Sequence, residues 1–300
     1  MSGASERLDG GRAVVVTGAS SGIGRATAEV LAGRGVLVFA GVRRQEDARS
    51  LSEALGERVV PVMLDVTDPG SIAGAAEEVD RRLGGRTLFG LVNNAGVAIP
   101  GPLSYQPMEE IRLQFEVNLF GALAVSRAFL PLLGADRSRI GAPGRIVNVS
   151  SVGGKIAAPF VGAYAAAKHA LEGMGESLRR ELMAFGIDVI VVAPGAVVTP
   201  IWEKADRADL SRYDRTPLAG PLRAFREFAL WESRRGYPPE RIGEAILSAL
   251  TARRPRARYA VVPGRPWNWT LPMLLPTRLV DRIIAAQLGL SPRTSGAPGR

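Results

Sequence analysis

The sequence predicts an α/β fold: a single doubly wound parallel sheet of about seven strands with helices on both faces. Three observations predict it. Apolar, β-branched runs alternate with segments of helical spacing. The runs are continuous, without polar residues at every second position, which suits parallel strands buried on both faces. The first run leads straight into a glycine turn and a helix.

In chain order the strand runs are "AVVVT" (13–17), "VLVFAGV" (36–42), "VVPVMLDV" (59–66), "FGLVNNAG" (89–96), "GRIVNVSS" (144–151) and "DVIVVAPG" (188–195). A last run, "RYAVVPG" (258–264), returns the chain to the sheet edge. The first helix shows its spacing in Ile23, Ala26, Thr27, Val30 and Leu31, and "GRG" at 33–35 ends it. Long helices are expected over 108–133 and 161–185. From 199 to 236 the chain is rich in Arg, Asp and Pro and reads as an irregular or helical substrate loop, with a further helix starting near Pro239. "RPWNWTLPMLLPTRLVDRIIAAQLGL" reads as a proline-broken apolar segment followed by a short amphipathic helix.

Residues 1–11 are expected to be a flexible arm, 12–264 one domain, 265–290 an apolar and basic extension, and 291–300 a disordered tail. No repeat or linker marks a second domain. With no cysteine and the single His169, disulfides, a thiolate nucleophile and a Cys/His zinc site are excluded, and no metal is expected. The N-terminus "MSGASERLDGGR" lacks the apolar core of a secretory signal, and no run approaches the roughly 18 apolar residues of a membrane span. A cytoplasmic location is the expectation. The net charge of +9 is unevenly placed: residues 1–150 hold 16 basic and 16 acidic side chains, whereas 251–300 hold nine arginines against Asp281.

The stretch "VVVTGASSGIGRATA" (14–28) sets Gly18, Gly22 and Gly24 in a strand–turn–helix context. Glycines let a backbone approach a pyrophosphate, and a helix N-terminus offers unpaired N–H groups to it. Ser20 and Ser21 add hydroxyls. Thr17 to Gly24 resembles the T-G-x-x-x-G-x-G turn of the short-chain dehydrogenase/reductase family. The resemblance continues in that family's order through "LDV" (64–66), "NNAG" (93–96), Asn118, "NVSS" (148–151), "YAAAK" (164–168) and "PGAVVT" (194–199), and so covers residues 12 to 200. It implies a Rossmann-type fold and an enzyme moving a hydride between a nicotinamide and an alcohol or ketone.

The residues support that chemistry directly. Tyr164 and Lys168 are four apart and share a helix face. A free phenol has a pKa near 10, and a neighbouring ammonium lowers it toward the range of a general acid/base. Of 38 basic residues only Lys155, Lys168 and Lys204 are lysines, and one of these three follows Tyr164 by four. A compact ammonium can bridge a ribose and a phenol where a guanidinium fits poorly. The resemblance gives Ser151 the hydrogen bond to the substrate oxygen and Asn118 a water in the proton relay, while Asn118 also reads as a polar residue that kinks its helix. Ser150 reads as support, and His169, turned about 100° from Lys168, as structural.

By the same resemblance the cofactor set is Gly18, Ser20, Ser21, Gly22, Ile23, Gly24, Arg43, Asp65 beside adenine, Val66, Asn93 beside the ribose, Ala95 and Gly96. It is completed by Tyr164, Lys168, Pro194, Gly195, Val197 and Thr199. NAD-preferring relatives place a carboxylate after the second strand. Here "FAGVRRQED" puts Gly41 and Val42 there, then Arg43 and Arg44, so NADP(H) is favoured and NAD(H) is the alternative.

"VNLFG", "SSVGGK" and "LRRELMAFGIDV" look most like the retinol and 17β-hydroxysteroid dehydrogenase branch, which implies a bulky lipophilic substrate. A 3-ketoacyl carrier-protein or CoA reductase is the rival; a non-catalytic nucleotide-binding scaffold is weaker, because all four catalytic positions are present. The family's habit of pairing two long helices across subunits implies a homodimer or homotetramer, with Ala165, Ala166, Ala170 and Gly173 allowing close approach. The basic end lacks the features of a nucleic-acid-binding module, so no nucleic acid is expected. Trp267, Trp269, Leu271, Met273, Leu274 and Leu275 among arginines suit either a peripheral contact with an anionic membrane or a cover for the pocket or a subunit contact.

Overall fold

All seven apolar runs become strands, and the central ones are buried along almost their whole length because helices cover both faces of the sheet. The computed structural model describes residues 11–200 and 209–290. The expectations for residues 1–10, for 201–208 of the substrate loop and for 291–300 lie outside the described residues.

The strands are β1 (Ala13–Val16), β2 (Leu37–Val42), β3 (Val59–Met63), β4 (Gly90–Asn93), β5 (Arg145–Val149), β6 (Asp188–Pro194) and β7 (Arg258–Val261). They form one sheet in the order β3-β2-β1-β4-β5-β6-β7, and every pair is parallel. The order reverses between β1 and β4. At that switch point the loops after the strands diverge and leave a crevice, which is where doubly wound sheets bind ligands.

The helices are α1 (Gly22–Gly33), α2 (Gln45–Leu55), α3 (Pro69–Leu83), α4 (Met108–Phe115), α5 (Gly121–Phe129), α6 (Gly162–Glu181), α7 (Ala219–Arg234), α8 (Pro239–Thr251) and α9 (Thr277–Leu288). Alternate strand residues feed two cores. Val14, Val16 and Val38 meet Leu31 of α1 and Ile242 and Ile246 of α8 on one face. Val15, Phe39 and Leu91 meet Ile72 and Val79 of α3 and Val125 and Phe129 of α5 on the other. Outside the sheet, Phe160, Tyr213, Leu222 of α7 and Leu288 of α9 form a third, small cluster.

Two expectations are corrected. The helix expected over 108–133 is not continuous: it widens to π-type turns at Glu116–Phe120 and again at Pro131–Ala135. The first widening seats Asn118; in the second, Gly134 sits at φ +106, outside helical geometry. The helix expected over 161–185 ends as α6 at Glu181, tightens over Leu182–Phe185, and stops at Gly186 with φ +72. The substrate loop contains α7, and the C-terminal extension is broken by proline as expected. Its Pro266–Thr270 turn and Leu271–Leu274 turn precede α9.

Candidate active site

The glycine turn is shaped by backbone contacts. Gly18 and Gly22 hold φ of +64 and +56, where a side chain is strained. A Cβ at Gly18 would lie 2.9 Å from Ala95 Cα, and one at Gly24 would collide with the Gly18 carbonyl oxygen. β4 pins the turn from the other side. Thr17 Oγ1 accepts from the backbone N–H of Asn94 (3.0 Å) and Ala95 (2.9 Å). Asn94 Nδ2 donates back to the carbonyls of Thr17 (2.9 Å) and Gly18 (3.1 Å).

Ser21 stands at the N-cap of α1 without a side-chain capping bond, and the first turn of α1 carries no acid. Its N–H groups therefore face the crevice unpartnered by side chains, a cradle that fits a pyrophosphate. A Cβ at Gly22 would lie 3.3 Å from Thr199, so the loop after β6 arches over the same turn.

At the ends of β2 and β3, Asp65 Oδ1 accepts from the backbone N–H (2.9 Å) and hydroxyl (2.7 Å) of Thr67. Burial would raise this carboxyl, but the two Thr67 bonds and the charge of Arg43 hold it below the usual value. Arg44 is committed to Asp47 by two hydrogen bonds of 3.0 and 3.1 Å. Arg43 is exposed and forms no ion pair among the described residues. Val66 packs beneath Gly121. Asn93 is placed differently from its neighbours: its Nδ2 points inward and donates to Ser126 Oγ and Asn148 Oδ1, both at 2.9 Å. Its Oδ1 is buried with no hydrogen-bond partner among the described residues.

Asn118, Ser151, Tyr164 and Lys168 converge at the ends of β4 and β5. Asn118 is buried, and its carboxamide clasps the backbone of Val97, accepting from N–H (3.0 Å) and donating to C=O (2.8 Å). Gly96 lies between Asn118 and Lys168: a Cβ there would sit 2.8 Å from Asn118 Oδ1 and 3.7 Å from Lys168 Nζ. Lys168 Nζ donates to the carbonyl of Val149 (2.8 Å) and lies 5.8 Å from the centre of the Tyr164 ring. Ser151 Oγ accepts from the N–H of Gly153 (3.0 Å), and Ser151 lies close enough to the Tyr164 phenol to hold its pKa down.

The electrostatics differ from the sequence expectation. Burial pushes the Tyr164 phenol above 10, and the bond to Ser151 only partly offsets it. The ammonium is directed at Val149, and it is itself held down to about 8 by burial, against the opposing charge of Glu172.

Tyr164 and Ser151 open onto a cavity of about 600 Å³. Pro194, Gly195, Val197 and Thr199 from β6 and its loop, and Ile23 from α1, form its inner side. Leu222, Phe225 and Phe228 of α7 form one wall. The C-terminal extension closes over it, with Trp267, Leu271 and Leu275 from the proline-broken part and Ile284 and Leu288 from α9. The apolar residues of the extension therefore line this cavity.

A family model for short chain dehydrogenases matches residues 12–210. The chain is a short-chain dehydrogenase/reductase. It is 37% identical to the NADPH-dependent 3-dehydrocapnine reductase of Ornithobacterium rhinotracheale, over 92% of this chain and 97% of that one. Mouse retinol dehydrogenase 5 is 36% identical, over 90% of this chain and 87% of that one. The crystal structure of a short-chain dehydrogenase from Streptomyces avermitilis shares 31% identity, covers 93% of this chain and 95% of that one, and superposes with a TM-score of 0.70. These matches place the chain in the branch that holds the retinol dehydrogenases, as an NAD(P)-dependent oxidoreductase.

Three residues of this dehydrogenase's site were not singled out from sequence. Asn94 was visible only as the second letter of "NNAG". Glu172, four residues after Lys168, is buried and accepts from Ser150 Oγ (2.9 Å) and from Arg258 Nε (3.1 Å) and Nη2 (3.0 Å). Its signal was the continued spacing Tyr164, Lys168, Glu172 on α6; nothing local announced Arg258. Ser150 takes the supporting role expected of it. His169 bonds the carbonyl of Ala165 (2.8 Å) on the outside of α6. Among the described residues, no cluster of His, Asp and Glu could hold a metal, and no helix is long and apolar enough to cross a membrane.

Proposed function

We propose that this dehydrogenase uses NADPH to reduce bulky, lipophilic ketones, and the reverse with secondary alcohols, with Tyr164 as acid/base. The observation that carries the reading is the position of Tyr164 and Ser151 in the wall of an apolar 600 Å³ cavity. A steroid- or retinoid-sized body fits such a space, and only its oxygen needs a polar partner. When bound, the reduced nicotinamide supplies a hydride to the carbonyl carbon.

Tyr164 Oη–H gives its proton to the carbonyl oxygen as the hydride arrives at the carbonyl carbon. Ser151 Oγ–H holds the same oxygen and offsets the charge that develops on it. Lys168 spends one of its three donors on Val149, which leaves two for ribose hydroxyls. Asn118, fixed through Val97, keeps the loop after β4 in register and holds the relay water. The cofactor set read from the sequence is proposed as it stands, with Asn93 contributing through its backbone. Arg43, exposed and without an ion pair among the described residues, is the group for a 2′-phosphate, and NADPH appears in the name of one relative.

The test is NADPH oxidation followed by absorbance against steroids, retinoids, aliphatic ketones of increasing length and 3-ketoacyl thioesters. Catalytic efficiency is expected to rise with apolar size. Turnover of acyl thioesters alone would support the rival reductase instead, and turnover of none would remove the reading.

Two further proposals concern placement. The outer side of the cavity cover leaves Trp267 74% and Leu274 77% exposed beside a strongly basic segment, which supports peripheral binding to anionic membranes from the cytoplasm. Co-sedimentation with anionic vesicles that salt reverses is expected; none at low salt would end the idea. Ala166 and Gly173 present a small-residue surface on α6, and Leu113 and Phe120 are exposed nearby in sequence on the α4–α5 unit, which supports a homodimer or homotetramer. A monomer by light scattering at micromolar concentration would refute it.

A further inference from the structure

A charged relay joins the cavity cover to the helix that carries Lys168. Trp269, in the extension, stacks on the guanidinium of Arg258, 4.5 Å from ring centre to Cζ. Arg258, on the edge strand β7, grips both carboxylate oxygens of Glu172 at 3.0 and 3.1 Å. Glu172 is 6% exposed and sits one helical turn beyond Lys168 on the buried side of α6. Its remaining neighbours are Ser150 Oγ, which donates at 2.9 Å, and Lys155 Nζ at 3.6 Å. Gly154 completes the enclosure: a Cβ there would press on Glu172 Oε1.

A carboxylate this buried is tolerable only when paired, and the pairing here is bidentate. The arginine that pairs it is not part of the catalytic helix. It belongs to the strand that leads into the cover of the substrate cavity, and the cover's own tryptophan lies against it. A displacement of the extension that carried Arg258 with it would take positive charge away from Glu172.

We infer that Glu172 is a positioning residue: through Arg258 and Trp269 it couples the seating of the C-terminal cover to the charge and placement of Lys168. This rests on Lys168 being the catalytic lysine proposed above, and the test is therefore one that needs no turnover. Burial lowers Lys168 to about 8 while Glu172 opposes the fall, so the two ends of the relay have opposite signs. Removing the acid must lower the lysine further, and removing the arginine must raise it.

The chain has three lysines, so ¹³Cε-lysine NMR of the full chain yields at most three titrating signals. Lys168→Arg and Lys155→Arg assign the two that matter. Glu172→Gln is expected to shift the Lys168 midpoint downward, and Arg258→Gln to shift it upward. A residue that only stabilises the fold would move both the same way or neither, and that result overturns the coupling. Should Glu172→Gln fail to fold, Arg258→Gln on the half-buried sheet edge decides alone, an unchanged or lowered midpoint being contrary. Hydrogen exchange reads the other end: amides of 266–274 should exchange faster in Arg258→Gln, and unchanged protection there would remove the link to the cover.

Discussion

The nucleotide cradle and the substrate cavity of this dehydrogenase meet at Tyr164, yet they are built on opposite principles. The cradle is made of backbone: glycines with no room for a Cβ, the open N-terminus of α1, and Asn94 pinning two carbonyls. The cavity is made of ordinary apolar side chains from α7 and the C-terminal extension, brought together from positions far apart in the chain. We propose that the cradle, whose backbone admits no added Cβ, holds the cofactor by fixed geometry, whereas the cavity holds its substrate by side chains that substitution can change.

Substitution should break the two regions differently, and the largest effect belongs to the cradle. Gly24→Val drives a side chain into the Gly18 carbonyl oxygen, an overpacking of about 1–3 kcal/mol or more, and should abolish NADPH binding in a fluorescence titration. Leu222→Ala, buried beside the cavity, should cost about 2 kcal/mol in denaturant unfolding, at the low end for such a truncation because space already adjoins it. It should leave NADPH binding intact. If Gly24→Val still binds, or Leu222→Ala does not, the division between backbone cradle and side-chain cavity fails.

Next comes cofactor choice. Arg43→Ala should weaken NADPH by about 1.5–3 kcal/mol, the value of a hydrogen bond to a charged group, and leave NADH nearly unchanged. Arg44→Ala should do little, because that side chain is paired with Asp47. Equal weakening of both cofactors by Arg43→Ala, or a preference for NADH already in the wild type, would mean that Arg43 is not the phosphate reader.

The smallest effect lies in the cavity wall. Glu232 borders the cavity, and burial alone raises its carboxyl above the usual value. A raised acid favours its neutral form in the folded state. Its stabilising contribution is thus full below the unfolded value of about 4.5 and is lost as pH rises through the folded value. Glu232→Gln should therefore gain stability relative to wild type between pH 4 and pH 8, by less than about 1 kcal/mol because the group is partly solvated. A loss at pH 8 would mean that the carboxylate has a partner.

The same contrast explains what could be read from the sequence. The seven strands, the glycine turn and the Tyr164–Lys168 pair are local patterns, because a buried parallel strand, a φ above zero and a helical repeat each demand particular residues at short spacing. The interruption at Asn118 was legible only in part: a polar residue inside the helix reads as a kink, but its clasp with Val97 across a loop has no local signal. Glu172 and Arg258 are 86 residues apart in the chain, and no local pattern joins them. The raised Tyr164 phenol was also out of reach. The spacing brought an ammonium near the ring, but burial, a property of the whole fold, outweighed it. The extension's apolar residues fitted both a cavity cover and a membrane contact, and only the packing of Leu288 against Leu222 tied that end of the chain to α7.

The central proposal is that Tyr164 moves the proton while the cradle, with Arg43 and Lys168, holds most of the cofactor. Tyr164→Phe, assayed side by side for NADPH binding and for turnover of the best ketone in the panel, tests it most directly. The account predicts binding within a few-fold of wild type and turnover reduced by at least about 100-fold. Turnover near the wild-type rate would contradict it.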